Sequence, residues 1–481
     1  MERKAKIVAT IGPASRSEEI LRRLFDSGLD VARLNFSHGT HADHESSISL
    51  IRSLSKEIGK PVAILQDLQG PKLRVGILPK EGLLIKFGDT VLLTSQKQVS
   101  EYSGKQPVIP MEVPDFETSM TRGCRILMDD GKLELQVTRV TNEAVEASVV
   151  IGGTLFSRKG VNLPGADLGF ASFTEKDRID LEFGLKQKVD FIAMSFVRAS
   201  RDIILLREAI NEIDPALDDI PIIAKLERPE AIQNLHEILH VSDGVMVARG
   251  DLGVETSPSD VPIMQKTIIR EANRHAKLVI TATQMLDSMV NNPRPTRAEA
   301  SDVANAVFDG SDAVMLSAES ASGLYPVESV AMMDQIIRTA EENFDEWGFG
   351  DHVPLDTTHN SAIAITRAVN ELSKDPEIAG IAVFTLSGHT AILMAKTRPQ
   401  VPILAFTPNE RTCQRLSLCW GTSPELVPFA NSVEEMIQIL DKRILEKRLF
   451  KPDQQVAVIS GLPINAMKTA NFTLLHRIGQ V

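Results

Sequence analysis

The stretch from Ile222 to Asp251 reads IIAKLERPEAIQNLHEILHVSDGVMVARGD and indicates the architecture of the chain. It contains two apolar runs, Ile222–Ala224 and Val245–Ala248, separated by a helical pattern. Each run has the length and composition of a buried strand, and parallel strands read as unbroken apolar segments. The stretch therefore predicts two neighbouring parallel strands joined by a helix, as in α/β folds.

Charged side chains follow both runs directly. Lys225 and Glu227 come after the first run, and Arg249, Gly250 and Asp251 come after the second. Ligands of α/β folds bind at the carboxyl ends of parallel strands. Glu227 and Asp251 offer two hard oxygen ligands that suit Mg²⁺ completed by substrate oxygens and water, and Lys225 suits an anionic group in transfer. The alternative is a surface Lys–Glu pair and a helix-capping aspartate.

Composition limits the class of protein. A chain of 481 residues, 43% of them hydrophobic and 24% charged, is expected to fold into roughly two to four soluble globular domains. The net charge of −12 argues against a nucleic-acid or anionic-membrane surface, although a local basic pocket would still bind an anion. Three cysteines without metal or disulfide spacing, and the absence of a signal core, favour a cytoplasmic location.

The order of predicted elements favours a closed barrel. Residues 1–70 alternate apolar runs and helical patterns three times, and residues 172–345 do so five times more. Eight βα units are the count of a (β/α)₈ TIM barrel of the α/β class. An open doubly wound sheet is the alternative, and it is disfavoured because chemically active residues follow nearly every run rather than meeting at one crevice.

Two further regions interrupt or follow this pattern. Residues 71–171 contain short alternating strands, with a hairpin signal at Asp129-Asp130-Gly131, and predict a small all-β barrel inserted as a lid. Residues 346–481 begin with a polar linker and then alternate strands and helices again, which predicts a separate C-terminal α/β domain.

The strand ends of a closed barrel meet at one mouth, where they would collect cations, carboxylates and hydroxyls. The residues placed there are Arg33, Asn35, Ser37, Asp67, Lys225, Glu227, Arg249, Gly250, Asp251, Thr281, Thr283, Ser317 and Glu319. Phosphoryl transfer needs a metal that bridges substrate oxygens and cations on the moving group. Ser317 and Glu319 would equally cap the following helix, and we leave them out of the site.

A set of ordered motifs resembles the pyruvate kinase family over nearly the whole chain. They are TIGPAS (10–15), ARLNFSHGTH (32–41), QDLQGPKLRVG (66–76), KGVNLPG (159–165), AKLERPE (224–230), VARGDLGVE (247–255), TATQMLDSM (281–289), NPRPTRAEASDVANAVFDGSDAVMLSAESA (292–321) and YPVES (325–329). The resemblance implies transfer of a phosphoryl group from phosphoenolpyruvate to ADP, giving pyruvate and ATP in the last step of glycolysis. It also implies a homotetramer, with no nucleic-acid or membrane partner.

The resemblance assigns roles to individual residues at the barrel mouth. Glu227 and Asp251 look like ligands of Mg²⁺, for which Mn²⁺ is a possible substitute, and Lys225 looks like the residue that stabilises the phosphoryl group in flight. Arg33 resembles a phosphate-binding arginine. Thr283 lies beside the enolate in the proton relay. Gly250, together with Asp251, matches the position that binds the substrate carboxylate. Nucleotide-side positions are matched by Asn35, Ser37, His38, Arg74 and Lys159.

The segment after strand three departs from the commonest family pattern. Many members bind K⁺ with side chains that match Asn35, Ser37 and Asp67, and carry a glutamate where this chain has Lys72. Leu68 also differs from the common residue. The Lys72 ammonium is predicted to replace K⁺, so the enzyme is expected to need Mg²⁺ and not K⁺. The alternative is that Lys72 points into solvent at the lid hinge.

A loop in the C-terminal domain is a candidate anion site. Thr385, Ser387, Gly388, His389 and Thr390 follow an apolar strand and precede a helix predicted from Ala391 to Lys396. Backbone N–H groups at a helix start bind anions. The alternative is ordinary helix capping by Ser387, but the resemblance favours an allosteric site for a phosphorylated effector.

Two other functions compete with the one that the resemblance implies. A Mg²⁺-dependent lyase of the aldolase type would share the Glu227–Asp251 pair but would not need Arg74 and Lys159 on an inserted lid. A non-catalytic sensor of phosphorylated metabolites would be expected to have lost Lys225 or a metal ligand, and this chain retains all three residues.

Overall fold

The computed structural model of the chain describes residues 3–95, 99, 106–112, 120–141, 144–164, 172–348, 360–464 and 469–480. Within these ranges, no helix combines the length and the apolar character needed to cross a membrane.

Three strands and two helices open the chain. They are β1 (Lys6–Thr10), α1 (Glu18–Asp26), β2 (Val31–Asn35), α2 (His41–Ile58) and β3 (Ala63–Asp67). Ser17 caps α1, and Thr40 forms a capping box with Asp43 at the start of α2. The third strand ends at Asp67, so the Asp67 carboxylate lies at the rim of the barrel.

In the next segment, the residues that the structure describes form short strands without helical crossovers. The strands are β4 (Leu73–Arg74), β5 (Leu83–Ile85), β6 (Thr90–Ser95), β7 (Val108–Met111), β8 (Arg125–Met128), β9 (Leu133–Val140), β10 (Ala144–Ile151), β11 (Gly153–Leu155) and β12 (Gly160–Asn162). Seven of them form a sheet in the order β4-β12-β8-β9-β10-β6-β7, and β5 pairs with β11. A bridge between Val75 and Met111 brings the two ends of the sheet together, which makes the module barrel-like.

Five further βα units complete the main barrel. Their elements are α3 (Glu175–Lys186), β13 (Phe191–Met194), α4 (Ser200–Ile213), β14 (Ile222–Leu226), α5 (Pro229–Gln233), α6 (Leu235–Val241), β15 (Gly244–Ala248), α7 (Arg249–Glu255), α8 (Val261–Arg274), β16 (Leu278–Ala282), α9 (Arg297–Phe308), β17 (Ala313–Leu316), α10 (Ala318–Ala321), α11 (Pro326–Glu342) and α12 (Phe344–Trp347). The eight strands close in the order β1-β17-β16-β15-β14-β13-β3-β2, and every pairing is parallel.

The barrel strands are buried on both faces, which explains their unbroken apolar sequences. Val8, Phe191 and Met246 belong to a core inside the barrel, while a second, larger core lies between the barrel and its helices. Leu418 of the C-terminal unit is completely buried in the same interior core. The C-terminal unit therefore contributes a side chain to the interior of the barrel.

The C-terminal unit is a five-stranded sheet with helices. Its elements are α13 (Ser361–Leu372), β18 (Ile378–Phe384), α14 (His389–Lys396), β19 (Ile403–Thr407), α15 (Glu410–Arg415), β20 (Thr422–Leu426), α16 (Val433–Lys447), β21 (Gln455–Ser460) and β22 (Phe472–Arg477). The order is β20-β19-β18-β21-β22, parallel except for β22, which runs antiparallel to β21. The sequence analysis did not predict β22, an edge strand whose residues are mostly half-buried or exposed.

A buried charged cluster joins this unit to the base of the barrel. Asp312 immediately precedes β17, and it pairs with the Lys396 ammonium and, at 3.0 Å, with the Arg398 guanidinium. Lys396 Nζ also donates to Asn273 Oδ1 at 2.8 Å. The Arg398 guanidinium lies 4.6 Å from the ring centroid of Trp420. These contacts fix α14 against the face of the barrel opposite to its mouth.

The predicted fold class is confirmed: an α/β chain with a closed barrel, an inserted barrel-like β module and a C-terminal α/β unit. The predicted boundaries (1–70 with 172–345, 71–171 and 346–481) stay predictions. The junctions at 165–171 and 349–359 lie outside the described residues.

Candidate active site

Four charged side chains form a continuous chain of ion pairs at the barrel mouth. Asp67 Oδ2 lies 2.6 Å from an Arg33 nitrogen, and Asp67 Oδ1 lies 3.1 Å from Lys225 Nζ. Lys225 Nζ lies 2.9 Å from Glu227 Oε1. All four residues are less than a tenth exposed. The structure thus brings these four predicted residues together, with Asp67 at the centre.

The pKa values of the side chains in this row of ion pairs are set by burial and by the charges of their neighbours. Burial alone would raise the pKa of Asp67, but the charges of Lys225 and Arg33 outweigh it and hold the pKa below its usual value. Burial would lower the pKa of Lys225, yet Asp67 and Glu227 raise it above its usual value. Lys225 is therefore a permanent cation at neutral pH, and it suits charge stabilisation rather than proton transfer.

Two residues after the fourth barrel strand complete this cluster, and the sequence analysis missed both. Ser195 accepts a hydrogen bond from Lys225 Nζ at 2.7 Å and donates to the Leu68 carbonyl at 2.6 Å. The Phe196 N–H donates to Glu227 Oε2 at 2.7 Å from a backbone with φ of +55°. Both residues directly follow the apolar run Phe191–Met194. Position directly after an apolar run identified the other site residues and could have identified these two.

Arg249 supports the strained turn after the seventh barrel strand. Thr283 has φ of +69°, an unfavourable conformation for a β-branched residue. Its Oγ1 accepts from the Gly250 N–H at 2.7 Å, and its carbonyl accepts from the Arg249 guanidinium at 2.6 Å. Arg249 is in turn held by both carboxylate oxygens of Asp302, at 2.6 and 2.8 Å. Arg249 and Asp302 thus position Gly250 and Thr283, a function that the sequence analysis did not assign.

Glu227 and Asp251 fit the requirements of a hard divalent cation. Burial raises the pKa of Glu227 and the charge of Asp251 raises it further, against the opposing effect of Lys225. A buried carboxylate whose ionisation is disfavoured by a neighbouring negative charge is stabilised by a cation. The described residues contain no group of three or more His, Cys, Asp and Glu side chains placed to hold a metal. Two carboxylates are enough to hold Mg²⁺, because the ion keeps several waters and substrate oxygens as its other ligands.

The hinge of the β module lies beside these carboxylates. Lys72 Nζ is 3.8 Å from Asp251 Oδ1, and the two side chains are 25% and 26% exposed. Lys72 therefore faces the site instead of pointing into open solvent. Partial burial, together with the positive charges of Arg74, Lys72 and Arg33, lowers the pKa of His38. Cationic side chains from the hinge and from β2 thus surround the His38 imidazole.

Other residues predicted on the nucleotide side form hydrogen bonds or ion pairs within their own part of the structure. Asn35 Oδ1 accepts from the Ser37 N–H at 3.0 Å and shapes the loop after β2. Arg74 donates to the Arg158 carbonyl at 3.0 Å. Lys159 Nζ lies 2.7 Å from Asp129 Oδ1, in the lid hairpin. Arg74 lies in β4 and Lys159 directly precedes β12, so both belong to the inserted β module.

The candidate anion loop borders a pocket of about 480 Å³ in the C-terminal unit. Gly388 takes φ of +87° and precedes α14, which begins at His389 and not at Ala391 as predicted. Thr385 Oγ1 accepts from the Gly388 N–H at 3.0 Å, and Ser387 Oγ accepts from the His389 N–H at 3.4 Å. Four of the five predicted residues line the pocket, together with Phe384, Phe406 and Phe429. The loop thus has both hydroxyl groups and an aromatic wall.

The barrel fold, the buried lysine between two carboxylates and the lid hinge define a phosphotransferase of the barrel type. The model of the pyruvate kinase barrel domain matches residues 2–330, and the model of the pyruvate kinase alpha/beta domain matches residues 363–476. The chain belongs to the pyruvate kinase family.

Individual relatives match along nearly the whole chain. The chain is 42% identical over 483 residues to pyruvate kinase of Geobacillus stearothermophilus, an alignment that covers 100% of this chain and 81% of the relative. It is 43% identical over 474 residues to pyruvate kinase of Agrobacterium vitis, with 98% and 97% covered. It is 45% identical over 473 residues to pyruvate kinase 2 of Synechocystis sp., with 96% and 77% covered.

Proposed function

We propose that this protein transfers the phosphoryl group of phosphoenolpyruvate to ADP, giving pyruvate and ATP, as the last step of glycolysis. The observation that carries the proposal is the buried Lys225 ammonium, held between Asp67 and Glu227 at the mouth of the barrel. Its fixed position and permanent charge suit a group that stabilises a phosphoryl in transfer. The family membership reported above supports the same reaction.

In this proposal Glu227 and Asp251 hold Mg²⁺, which offsets negative charge on the substrate oxygens. Lys225 and Arg33 face the phosphoryl group, and their positive charge offsets the charge that develops as it leaves the enol oxygen. The Gly250 N–H lies on the side that receives the substrate carboxylate. The Lys225 ammonium is in position before substrate arrives, because Asp67 and Ser195 already hold it in place.

Proton delivery to the enolate carbon is assigned to the side of the site that carries Thr283. Its hydroxyl donates to the Ala282 carbonyl at 2.6 Å and accepts from the Gly250 N–H, so its orientation is fixed. A fixed hydroxyl orders a proton relay at low entropic cost. Thr283 thereby acts on the carbon end of the enolate, while Lys225 acts on the phosphoryl end.

The inserted β module is proposed to close over the nucleotide. Arg74 and Lys159 lie on it, and Asn35, Ser37 and His38 lie on the loop after β2. Closure would exclude water and protect the phosphoryl group from hydrolysis. Lys159→Ala is expected to raise the ADP requirement and lower turnover together, because closure completes the site.

Two finer features belong to the same proposal. The Lys72 ammonium supplies the positive charge that K⁺ supplies in many family members, in the region of Asn35, Ser37, Asp67 and Leu68, so that no K⁺ is required. The loop at Thr385, Ser387, Gly388, His389 and Thr390 binds a phosphorylated effector, and the protein acts as a homotetramer.

One assay separates this function from its competitors. The protein is mixed with Mg²⁺, phosphoenolpyruvate and ADP, and pyruvate and ATP are measured over time. Stoichiometric formation of both supports the proposal. Cleavage of a carbon–carbon bond in a hydroxy-acid substrate would indicate the lyase, and substrate binding without turnover would indicate the sensor.

A further inference from the structure

The two hinge strands of the lid contact the same helix one turn apart. Lys72 immediately precedes β4, whose Leu73 pairs with Val161 of β12. Lys72 reaches Asp251 in the first turn of α7, and Asn162 of β12 reaches Glu255 at its end. Residues four apart on a helix lie on one face, so both contacts engage the same side of α7. The lid is thereby attached to the helix that carries a proposed metal ligand.

The contact with Asp251 is open to competition. Lys72 Nζ stands 3.8 Å from Asp251 Oδ1, and each side chain is about a quarter exposed, at 25% and 26%. Pairs of this exposure are weak and exchange readily. A divalent cation on Asp251 would stand within a few ångströms of the ammonium and repel it. Asp251 therefore cannot bind the Lys72 ammonium and a divalent cation equally well.

The contact with Glu255 has the opposite character. Asn162 Nδ2 donates to Glu255 Oε1 at 2.9 Å, and the two residues are only 7% and 8% exposed. Arg228 lies 3.9 Å from the other carboxylate oxygen. A buried hydrogen bond to a carboxylate is stronger and less exchangeable than an exposed ion pair. This contact is suited to hold the lid on α7 while the first one changes.

We propose that α7 couples the lid to the metal site. Lys72 and a divalent cation compete for Asp251, while the Asn162–Glu255 hydrogen bond keeps the hinge against α7. The inference rests on the proposed function, because it uses Asp251 as a metal ligand. Metal loading then releases the Lys72 ammonium towards the phosphate side of the site. Lys72 and Asn162 act here as positioning residues for the lid and the metal ligand.

The test measures Mn²⁺ binding to the substrate-free protein by the electron paramagnetic resonance signal of free Mn²⁺. Lys72→Met is expected to tighten Mn²⁺ binding by about three- to fivefold, which corresponds to the loss of one partly exposed competing ion pair. In an Asn162→Ala background the same substitution should give little or no gain, because the hinge no longer holds the ammonium at Asp251. This double-mutant cycle measures the coupling directly.

Two control variants distinguish the coupling between Lys72 and Asn162 from general effects of substitution on the protein. Lys132→Met removes a lid ammonium that pairs with Asp129 at 3.6 Å, and it should leave Mn²⁺ binding unchanged. Glu255→Gln keeps a carbonyl acceptor for Asn162 and should preserve the Lys72→Met gain. No gain from Lys72→Met, or an equal gain with and without Asn162, overturns the coupling.

A further variant distinguishes failure of the coupling from failure of the proposed metal site. Asp251→Asn should weaken Mn²⁺ binding strongly. If it does not, the metal assignment itself is wrong. If it does, and Lys72→Met has no effect, the proposed metal site stands and only the coupling fails.

Discussion

Asp67 and Lys225 form a buried ion pair in which Oδ1 and Nζ are 3.1 Å apart, although the residues come from the third and fifth strands of the barrel. The Asp67 carboxylate also holds Arg33, so that one anion positions two cations. The Asp67 carboxylate therefore supports the mouth structurally and fixes the positions of the two cations there. Substitutions at Lys225 are expected to affect catalysis and stability separately.

Lys225→Met should abolish phosphoryl transfer while exchange of the pyruvate methyl protons is less affected. The physical reason is that Lys225 faces the moving phosphoryl group, whereas Thr283 faces the enolate. Loss of one such charged contact should raise the barrier by about 3–4 kcal/mol or more, by analogy with an oxyanion-hole donor. Steady-state turnover and deuterium exchange into pyruvate measure the two steps.

The control for this substitution is Lys277→Met. Lys277 precedes β16 at the opposite end of the barrel and donates to the Ser242 carbonyl at 2.7 Å. It should lower thermal stability without a selective loss of phosphoryl transfer. Turnover of Lys225→Met within a few-fold of the parent would contradict the assignment of Lys225.

Arg249→Lys should lower turnover because a lysine cannot hold Asp302 and the Thr283 carbonyl at the same time. Arg249 now does both, at 2.6 Å in each case. A displacement of about 1 Å at a reacting group can cost on the order of a hundredfold in rate. We expect the turnover number to fall far more than the affinity for Mn²⁺, because Asp251 and Glu227 are unchanged.

Arg270→Lys on the exposed face of α8 is the matched control and should be neutral. Turnover and Mn²⁺ affinity that fall in parallel would indicate general damage to α7, and would count against a role specific to the turn at Thr283.

The sequence predicted most of the site because unbroken apolar runs mark buried parallel strands and the residues after them meet at the barrel mouth. Arg33, Lys225 and Glu227 were found in this way. Ser195 was missed because a lone serine after a strand is indistinguishable from a helix cap. The pairing of Arg249 with Asp302 was missed because the two residues are 53 positions apart and only the closed barrel brings them together.

Other features depended on context that a sequence pattern does not contain. The Lys72–Asp251 contact requires the hinge to lie against α7, which no periodicity encodes. The edge strand β22 was missed because its residues alternate only weakly and only one of the six is buried. The positive φ of Thr283 is imposed by Arg249 and Gly250 against the preference of a β-branched residue.

Lys396 is expected to make stability depend on pH in the alkaline range. Burial lowers its pKa to about 8, although Asp312 acts in the opposite direction. Between pH 8 and the ordinary lysine value the unfolded chain binds more protons than the folded one, so stability rises with pH. Compared with Lys396→Met, the parent should gain stability as pH rises from 8 to 10.5 and show no such trend below pH 8.

Denaturant unfolding at several pH values measures this difference. Arg398 pairs with Asp312 at 3.0 Å in the parent and is expected to keep this contact in the variant, so the aspartate is not left without a cation. Lys442→Met, which removes an exposed lysine 4.0 Å from Glu446, should give a flat difference. A constant gap between parent and Lys396→Met across the range would show that Lys396 stays charged.

Ser387→Asp should abolish any effector response if the loop before α14 binds a phosphate. A carboxylate at this position repels an anion from the start of α14. The measurement is phosphoenolpyruvate saturation with a panel of sugar monophosphates, bisphosphates and nucleotides. One member of the panel should shift the curve for the parent and not for the variant. If none does, and the variant behaves like the parent, Ser387 serves only to cap the helix.

The enzyme is expected to turn over fully without K⁺. Lys72 places an ammonium at the hinge beside Asp251, and two unit charges about 4 Å apart interact by about 4 kcal/mol at an effective dielectric of 20. A monovalent cation is therefore repelled from a region that already carries the charge it would supply. Turnover is measured in tetramethylammonium buffer with and without KCl at constant ionic strength, and activation of tenfold or more by K⁺ would refute the prediction. Lys72→Glu should create a K⁺ requirement, whereas Lys132→Glu on the lid hairpin should not, because only position 72 faces the metal ligand.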